Sequence, residues 1–370
     1  MSSISAIDTL NYDKQFKQKI TLFEKQLNKL TQTLSKPIPC EIEAFSSPKE
    51  HYRLRTEFKV WQQGSTAQYA MSDPETKKPV FIDTFPIASK AINELMPLLL
   101  EAINGNELLR KKCFQVEFLN TLSGDMLVTL IYHKALNEDW IAAIKPIKEN
   151  LGIHIVGRSR KQKVILDQDF VDEILSVKGK DYYYKQIEGS FTQPNGKVCE
   201  LMLTWAVENS ENLGGDLLEL YCGNGNFTLP LSKNFDKVLA TEISKTSVNA
   251  ALYNIKKNNI DNIEIARMSS EEFVQAMDKV REFRRLKSIE LDDYQFSTVF
   301  VDPPRAGLDE KTVDMVKRFD HIIYISCNPE TLVNNLQELC KTHEIKALAA
   351  FDQFPYTHHL ETGVVLSKID

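Results

Sequence analysis

With 370 residues, 42% of them hydrophobic, the chain can bury a sizeable core and is long enough for two domains. No stretch approaches the roughly 20 uninterrupted apolar residues of a membrane helix, and the opening MSSISAIDTLNYDK lacks the basic-then-apolar order of a secretory signal. A soluble, cytoplasmic protein with no membrane partner is expected. The net charge of −6 excludes indiscriminate nucleic-acid binding by bulk electrostatics, so any RNA must be held by a local basic patch and by shape. Six cysteines (Cys40, Cys113, Cys199, Cys222, Cys327, Cys340) are scattered without a CxxC pair, which argues against a zinc knuckle, an iron–sulfur cluster or a disulfide framework.

From Tyr12 to Leu34 the residues Tyr12, Phe16, Ile20, Phe23, Leu27, Leu30 and Leu34 recur at spacings of three and four, which predicts an amphipathic helix packed on a domain surface. The proline- and serine-rich segment SKPIPCEIEAFSSPKEHY then reads as a linker, with a boundary near residue 50. Between 51 and 185, short strand-like runs (RTEFKVWQ, LVTLIYH, IHIVGRSR) are set among helical stretches around Ser89–Ala102 and Asn137–Asn150, the pattern of an α+β domain. From 186 to 370, seven runs alternate with helical patterns: DLLELY, KVLATE, IEIARM, STVFVD, HIIYIS, IKALAAF and GVVLSK. That alternation predicts an α/β, doubly wound, mostly parallel seven-stranded sheet, whose ligands sit beyond the carboxyl ends of the strands.

The strand ends carry the informative residues. After DLLELY, the glycines of Tyr221-Cys222-Gly223-Asn224-Gly225-Asn226-Phe227 allow a tight turn against a ligand. A dinucleotide fingerprint would place a third glycine where Thr228 stands, so a nucleoside without phosphates fits better than NAD. KVLATE closes on Glu242, suited to accept hydrogen bonds from ribose hydroxyls. STVFVD ends in Asp302-Pro303-Pro304-Arg305, a rigid loop where a carboxylate and a guanidinium can meet a planar base. HIIYIS delivers Cys327-Asn328-Pro329-Glu330, with Asn328 as N-cap and Pro329 in the first helical position. A helix N-terminus beside a thiol is expected to favour the thiolate. In FDQFPYTHHLE, Glu361 follows a loop of aromatic and histidine residues and can act as a general base. His358 and His359 are adjacent and point apart, so no metal is expected there.

Together these groups suit methylation of a pyrimidine. Carbon 5 of uracil is too weak a nucleophile to take a methyl from a sulfonium unaided, but a thiolate adding at carbon 6 makes carbon 5 enolate-like. Holding base, sulfonium and thiolate together contributes roughly 7–11 kcal/mol through proximity. Flipping a base out of folded RNA costs only a few kcal/mol.

HYRLRTEF, GSFTQPN (189–195), LLELYCGNGNF (217–227), FVDPPRAGLD (300–309), YISCNPETL (324–332) and FDQFPYTHHLE (351–361) together resemble the bacterial tRNA (uracil-5-)-methyltransferase family over nearly the whole chain. The resemblance implies a class I S-adenosyl-L-methionine-dependent methyltransferase domain with a Rossmann-like sheet (186–370), an additional α+β RNA-binding domain (51–185) and an N-terminal helix and linker (1–50). Implied too are a T-loop uridine at tRNA position 54 as target, Cys327 as nucleophile and Glu361 as proton acceptor. Gln193, Tyr221, Asn226, Glu242 and Asp302 are implied cofactor contacts, Gln193 by the resemblance alone. Relatives acting on ribosomal RNA commonly add an N-terminal barrel and a four-cysteine iron–sulfur site, both missing from this sequence, which favours tRNA, with other T-loop-like RNAs as further candidates. Cytosine-5 methyltransferases present Pro-Cys where this chain has Pro304-Arg305, which favours uracil.

Candidate RNA contacts are Arg53 and Arg55 on a strand, Arg158, Arg160, Lys161 and Lys163 in the strip GRSRKQK, which contains no acid, and Arg305 at the catalytic rim. Two rival readings are a nucleotide-cofactor oxidoreductase, disfavoured by Thr228, and a noncatalytic RNA-binding protein, disfavoured by the pairing of Cys327 with Glu361.

Overall fold

The computed structural model describes residues 7–34, 37–38, 40–73 and 76–369, which cluster into two compact units. The larger contains 11–47, 175–185 and the chain from 197 onward; the smaller contains the residues up to 10, 48–174 and 186–196.

The larger unit is built on an eight-stranded sheet in the order Ile42–Phe45, His343–Phe351, Glu361–Lys368, His321–Ser326, Phe296–Val301, Asp216–Leu220, Val238–Thr241 and Ile263–Ala266. All neighbours are parallel except that Glu361–Lys368 runs antiparallel to both its partners. Strand order reverses between Asp216–Leu220 and Phe296–Val301, the switch point at which a doubly wound sheet opens a crevice for ligand. Seven of the strands are the runs read from the sequence. The eighth, Ile42–Phe45, corrects the reading of its segment as a linker. Its four residues Ile-Glu-Ala-Phe carry no alternation a local pattern could register, and its order comes from distant partners. It pairs with Leu348–Phe351, Phe45 stacks on Phe351 at 4.8 Å, and Glu43 accepts a hydrogen bond from the Trp205 indole at 2.9 Å.

The helix Tyr12–Leu34 lays Tyr12, Phe16, Phe23, Leu27 and Leu30 into the core of this sheet, with Ile20 and Leu34 partly buried beside them. Each large apolar side chain so buried contributes about 1.5–3 kcal/mol. The same face buries Lys19, which the apolar spacing does not announce: its ammonium donates to Asp352 Oδ1 at 2.6 Å and to the Phe354 carbonyl at 2.9 Å. Tyr12 extends the attachment, accepting from the Ser47 amide at 2.7 Å and meeting the Tyr356 ring edge-on at 5.9 Å. The helix thereby clamps the loop that leads into Glu361.

The smaller unit holds a seven-stranded sheet in the order Pro79–Phe81, Thr66–Ser72, Arg55–Gln63, Cys113–Asn120, Met126–Tyr132, His154–Ser159 and Gln162–Ile165. Its one parallel pair, Met126–Tyr132 with His154–Ser159, is joined by the helix Glu138–Leu151, as a parallel connection requires. That helix and Lys90–Asn104 start where the sequence places them, capped by Asn137 and Ser89. The contiguous ranges 51–185 and 186–370 do not coincide with the two units. The hairpin Phe170–Val177 and Lys180–Ile187 crosses between them: residues 175–185 cluster with the larger unit and 186–196 with the smaller. Among the described residues no helix is long and apolar enough to cross a membrane.

Lys19 and Asp352 are 6% and 1% exposed, so breaking the pair from one side leaves a charge without compensation. Lys19→Met is expected to lower the unfolding free energy by about 3 kcal/mol. Chemical denaturation of the full chain measures it; a loss below about 1 kcal/mol would show that the pair is not what secures the helix.

Candidate active site

At the carboxyl end of Asp216–Leu220 the chain enters the loop 221–227. Tyr221 takes a left-handed φ of 63°, and its hydroxyl donates to Ser270 Oγ at 2.7 Å. Glu242, at the end of the neighbouring strand, accepts from the Gly223 amide at 3.1 Å and from the Ser244 amide at 2.7 Å, bracing the loop against the next helix. Asn226 holds the far side: its carbonyl accepts from the Tyr184 hydroxyl at 2.9 Å, and its amide lies 3.5 Å from Cys199 Sγ. A Cβ built on Gly223 would meet nothing within 4 Å, so this bend faces open space.

Two strands away, Cys327 follows His321–Ser326 and immediately precedes Asn328, whose side chain accepts from the Glu330 amide at 3.2 Å and caps the helix Pro329–Leu339. Ser326 pairs with Thr362, and the Thr362 hydroxyl donates to the Ser326 carbonyl at 3.1 Å. This register sets Cys327 and Glu361 at adjoining strand ends, close enough that the Glu361 charge acts on the Cys327 thiol. Glu361 is 4% exposed, and its carboxyl accepts no hydrogen bond from the described residues. Asp302 ends the strand on the other flank of His321–Ser326.

Desolvation governs the charges. Burial pushes Asp302 up to about 7. Burial, reinforced by the Asp302 charge, holds Glu361 well above the usual carboxylate range. Burial, then Glu361 and Asp302, push the Cys327 thiol up to about 11, against weaker pulls from its backbone hydrogen bond and Arg305. The expectation of a thiolate favoured by the helix end is therefore corrected for the free protein. Cys327 stands one residue outside the N-cap, where the helix field is fading, while its half-burial still removes water from the thiol.

A fourth group escaped the sequence reading. Glu219, on the central strand and 1% exposed, is pushed up to about 8 chiefly by burial, with Asp302 adding to it. The Thr228 hydroxyl beside it works in the opposite direction, although Oε2 meets no partner at full hydrogen-bonding geometry among the described residues. The signal was present in DLLEL: an acid in the middle of a run whose five residues are all buried.

The loop carrying Arg305 is fastened to the helix behind Cys327. The Arg305 carbonyl accepts from Asn328 Nδ2 at 3.1 Å and from the Thr331 hydroxyl at 3.3 Å, leaving the exposed guanidinium at the rim. Asn335 bonds both the amide and the carbonyl of Leu308 at 3.0 Å, and accepts from the Tyr324 hydroxyl at 2.8 Å. Gly307 makes this fit possible: its φ is 78°, and a Cβ there would fall 2.8 Å from Asn335 Oδ1.

The structure thus brings Tyr221, Asn226, Glu242, Asp302, Arg305, Cys327 and Glu361 to one edge of one sheet. Buried acids and a loop without lysine or arginine suit a cationic nucleoside, not a pyrophosphate. Among the described residues no group of three or more histidine, cysteine or acidic side chains is placed to hold a metal ion.

Gln193 belongs to the smaller unit, in a segment secured by its own unit's arginines. Arg55 donates to the Ser190 carbonyl at 2.5 Å, Arg53 bridges to Asn195, and the Leu54 amide bonds the Pro194 carbonyl at 2.7 Å. In the strip GRSRKQK, residues downstream supply the acids its sequence lacks, Asp169 close by and Glu188 further along the chain. Arg158 forms a two-pronged pair with Glu188 at 2.7 and 2.5 Å, and Lys163 pairs with Asp169 at 2.6 Å and Glu188 at 3.2 Å. Arg160 and Lys161, at the hairpin tip, are exposed.

The model of the tRNA (uracil-5-)-methyltransferase family matches residues 12–369. The chain is 60% identical over 360 residues to the tRNA/tmRNA (uracil-C(5))-methyltransferase of Saccharophagus degradans, covering 97% of each, and 58% identical over 357 residues to that of Cellvibrio japonicus, covering 96% of each. Among solved structures, Pyrococcus abyssi tRNA (uracil-54, C5)-methyltransferase in complex with S-adenosyl-L-homocysteine superposes with a TM-score of 0.70 at 24% identity, over 96% of this chain and 83% of that one; the likeness is one of fold. Matched from its first helix to its last strand, and more than half identical to relatives of equal length, the chain belongs to the tRNA (uracil-5-)-methyltransferase family.

Proposed function

We propose that the protein methylates carbon 5 of uridine 54 in the tRNA T-loop, with Cys327 as the nucleophile of a covalent adduct and Glu361 as the proton acceptor. The observation that carries the reading is the strand register that places a thiol and a buried, unbonded carboxyl at adjoining strand ends beside Asp302. The names of the close relatives support tRNA, and tmRNA as a second substrate. Both substrates agree with a cytoplasmic enzyme.

S-Adenosyl-L-methionine, when bound, supplies an electrophilic methyl on a sulfonium. Tyr221, Asn226, Glu242 and Asp302 are the groups of the larger unit that would hold it, and Gln193 is the contact proposed from the smaller. The Cys327 thiolate adds to carbon 6 of the uracil, and the electron pair of the 5,6 double bond moves to carbon 5. Carbon 5 would then take the methyl, whose bond to the sulfonium sulfur breaks and leaves a neutral thioether. Glu361 removes the carbon-5 proton, the double bond re-forms, and the carbon–sulfur bond breaks to return the thiolate. The Glu361 proton passes to water. A carboxylate with a raised pKa is the stronger base for this carbon acid, and a cation within the cluster favours its ionised form. Arg305 at the rim, with Arg160 and Lys161 on the smaller unit, remain available for phosphate; Arg158 and Lys163 would have to give up their acids first.

RNA carrying 5-fluorouridine replaces the departing proton with fluorine, so a covalent complex with Cys327 should accumulate and survive denaturation. Cys327→Ser should abolish it together with turnover. Glu361→Gln should form the complex even with ordinary tRNA, while turnover falls by about 10²- to 10⁴-fold. Methylation by Cys327→Ala at the wild-type rate would end the adduct mechanism.

The pH dependence follows from the thiol. With Cys327 pushed up to about 11, its ionised fraction near pH 7 is on the order of 10⁻⁴ and rises about tenfold per pH unit. kcat/KM, which reports the free enzyme, is therefore expected to climb between pH 7 and 9. A profile that is flat or falling over that range would contradict a thiol raised by burial.

A further inference from the structure

Away from the catalytic edge the larger unit presents a basic, aromatic seam to solvent. It lies where the strand Lys180–Ile187, over residues 180–185, runs beside the helix Lys245–Lys257. Two asparagines stitch the pair together. Asn258 accepts from the Tyr183 amide at 2.9 Å and donates to the Tyr183 carbonyl at 2.7 Å, and Asn254 accepts from the Lys185 amide at 2.7 Å. They satisfy backbone groups that an edge strand would otherwise leave open.

The outward side chains of the seam alternate in kind. Lys185 Nζ lies 4.0 Å from the Tyr253 ring centroid, and Lys257 Nζ lies 5.9 Å from that of Tyr183. Tyr183 and Tyr253 are each 41% exposed. The two elements carry Lys180, Lys185, Lys245, Lys256 and Lys257 against a single acid, Asp181, which is already hydrogen-bonded to Ser176. In a chain of net charge −6 this is a local reversal of sign. The seam also leads to the catalytic edge: Asn254 donates to the Asn224 carbonyl at 2.9 Å, and Asn224 lies in the glycine-rich loop.

We propose that this seam is a docking surface for the RNA substrate, taking its phosphodiester backbone on Lys185 and Lys257 and an unpaired base on Tyr253. The inference rests on the reading of the protein as a tRNA-modifying enzyme and adds to it a surface outside the reaction centre. Lysines held over aromatic rings present charge and a stacking face together, the combination that binds single-stranded or looped RNA without reading its sequence. Folded tRNA offers such loops. A protein partner would gain little from a face so uniformly basic, whereas a polyanion gains at each lysine through release of its counterions.

The test is equilibrium binding of unmodified tRNA transcript to the full chain across a series of salt concentrations, beside single-turnover methylation at saturating RNA. For Lys185→Gln/Lys257→Gln, the slope of log affinity against log salt should flatten by about 1.5, and affinity at low salt should fall. Tyr253→Ala should weaken binding about tenfold with little change in that slope. Neither variant should alter the single-turnover rate once RNA is saturating. An unchanged slope and affinity in the lysine variant, from a preparation whose wild type methylates tRNA, would overturn the seam and leave the proposed function intact. A wild type that binds no tRNA would overturn both.

Discussion

Four acids share one desolvated corner, and the rest of the active edge is arranged around the cost of ionising them. Glu219 and Glu361 are buried carboxyls, Asp302 is a partly buried one, Cys327 is a half-buried thiol, and Asp302 raises the pKa of each of the others. Burial of an unpaired acid is tolerable only in its neutral form or beside a cation. No lysine or arginine of the described residues forms an ion pair with any of the four. The corner is therefore electrostatically incomplete in the free chain, and its completion is a property of what binds.

That incompleteness explains why so much structure is spent on holding the corner still. The loop behind Arg305 is fixed through Asn328, Thr331 and Asn335, the glycine-rich turn through Glu242, and the approach to Glu361 through Lys19 and Tyr12 of the first helix. Each anchor is a hydrogen bond or ion pair between segments far apart in sequence. A group whose pKa depends on lost hydration changes character once its neighbours open and water returns. Rigidity here maintains chemistry as well as shape.

What could be read from the sequence, and what could not, divides along the same line. Periodic features were legible: the amphipathic helix Tyr12–Leu34, the helices capped by Ser89 and Asn137, seven strands of the catalytic sheet, and the cap formed by Asn328 ahead of Pro329. Their signals lie within one element. Ile42–Phe45 was not legible, because its strand character is lent by Phe351 and Trp205. Nor was the occupation of Arg158 and Lys163 by Glu188, because that acid approaches them from further along the chain. The same holds for the candidate site. Residue types at strand ends pointed to Cys327, Asp302 and Glu361, yet the direction of the thiol shift reversed, since a helix end is visible in sequence and the depth of burial is not. Glu219 shows the converse, a charge inside an apolar strand that the sequence displays and that only burial makes significant.

The electrostatic state of the corner bears on the order of events in the proposed reaction. With the thiol raised to about 11, a nucleotide reaching the free protein meets mainly the neutral, weakly nucleophilic form of Cys327. A positive charge placed among Asp302, Glu219 and Glu361 would act in the opposite sense on all four groups at once, favouring the Cys327 thiolate and the Glu361 carboxylate, the forms that the proposed reaction uses. In the proposed reaction a cationic methyl donor held there would supply such a charge, and the charge would be lost with the methyl. The corner would then revert toward its neutral state, in which the thiol is a poor attacker and an uncharged thioether gains less from the acids than a sulfonium does. On the proposed mechanism, a single desolvated cluster would in this way couple the arrival of the donor to the activation of the nucleophile, and the consumption of its charge to release.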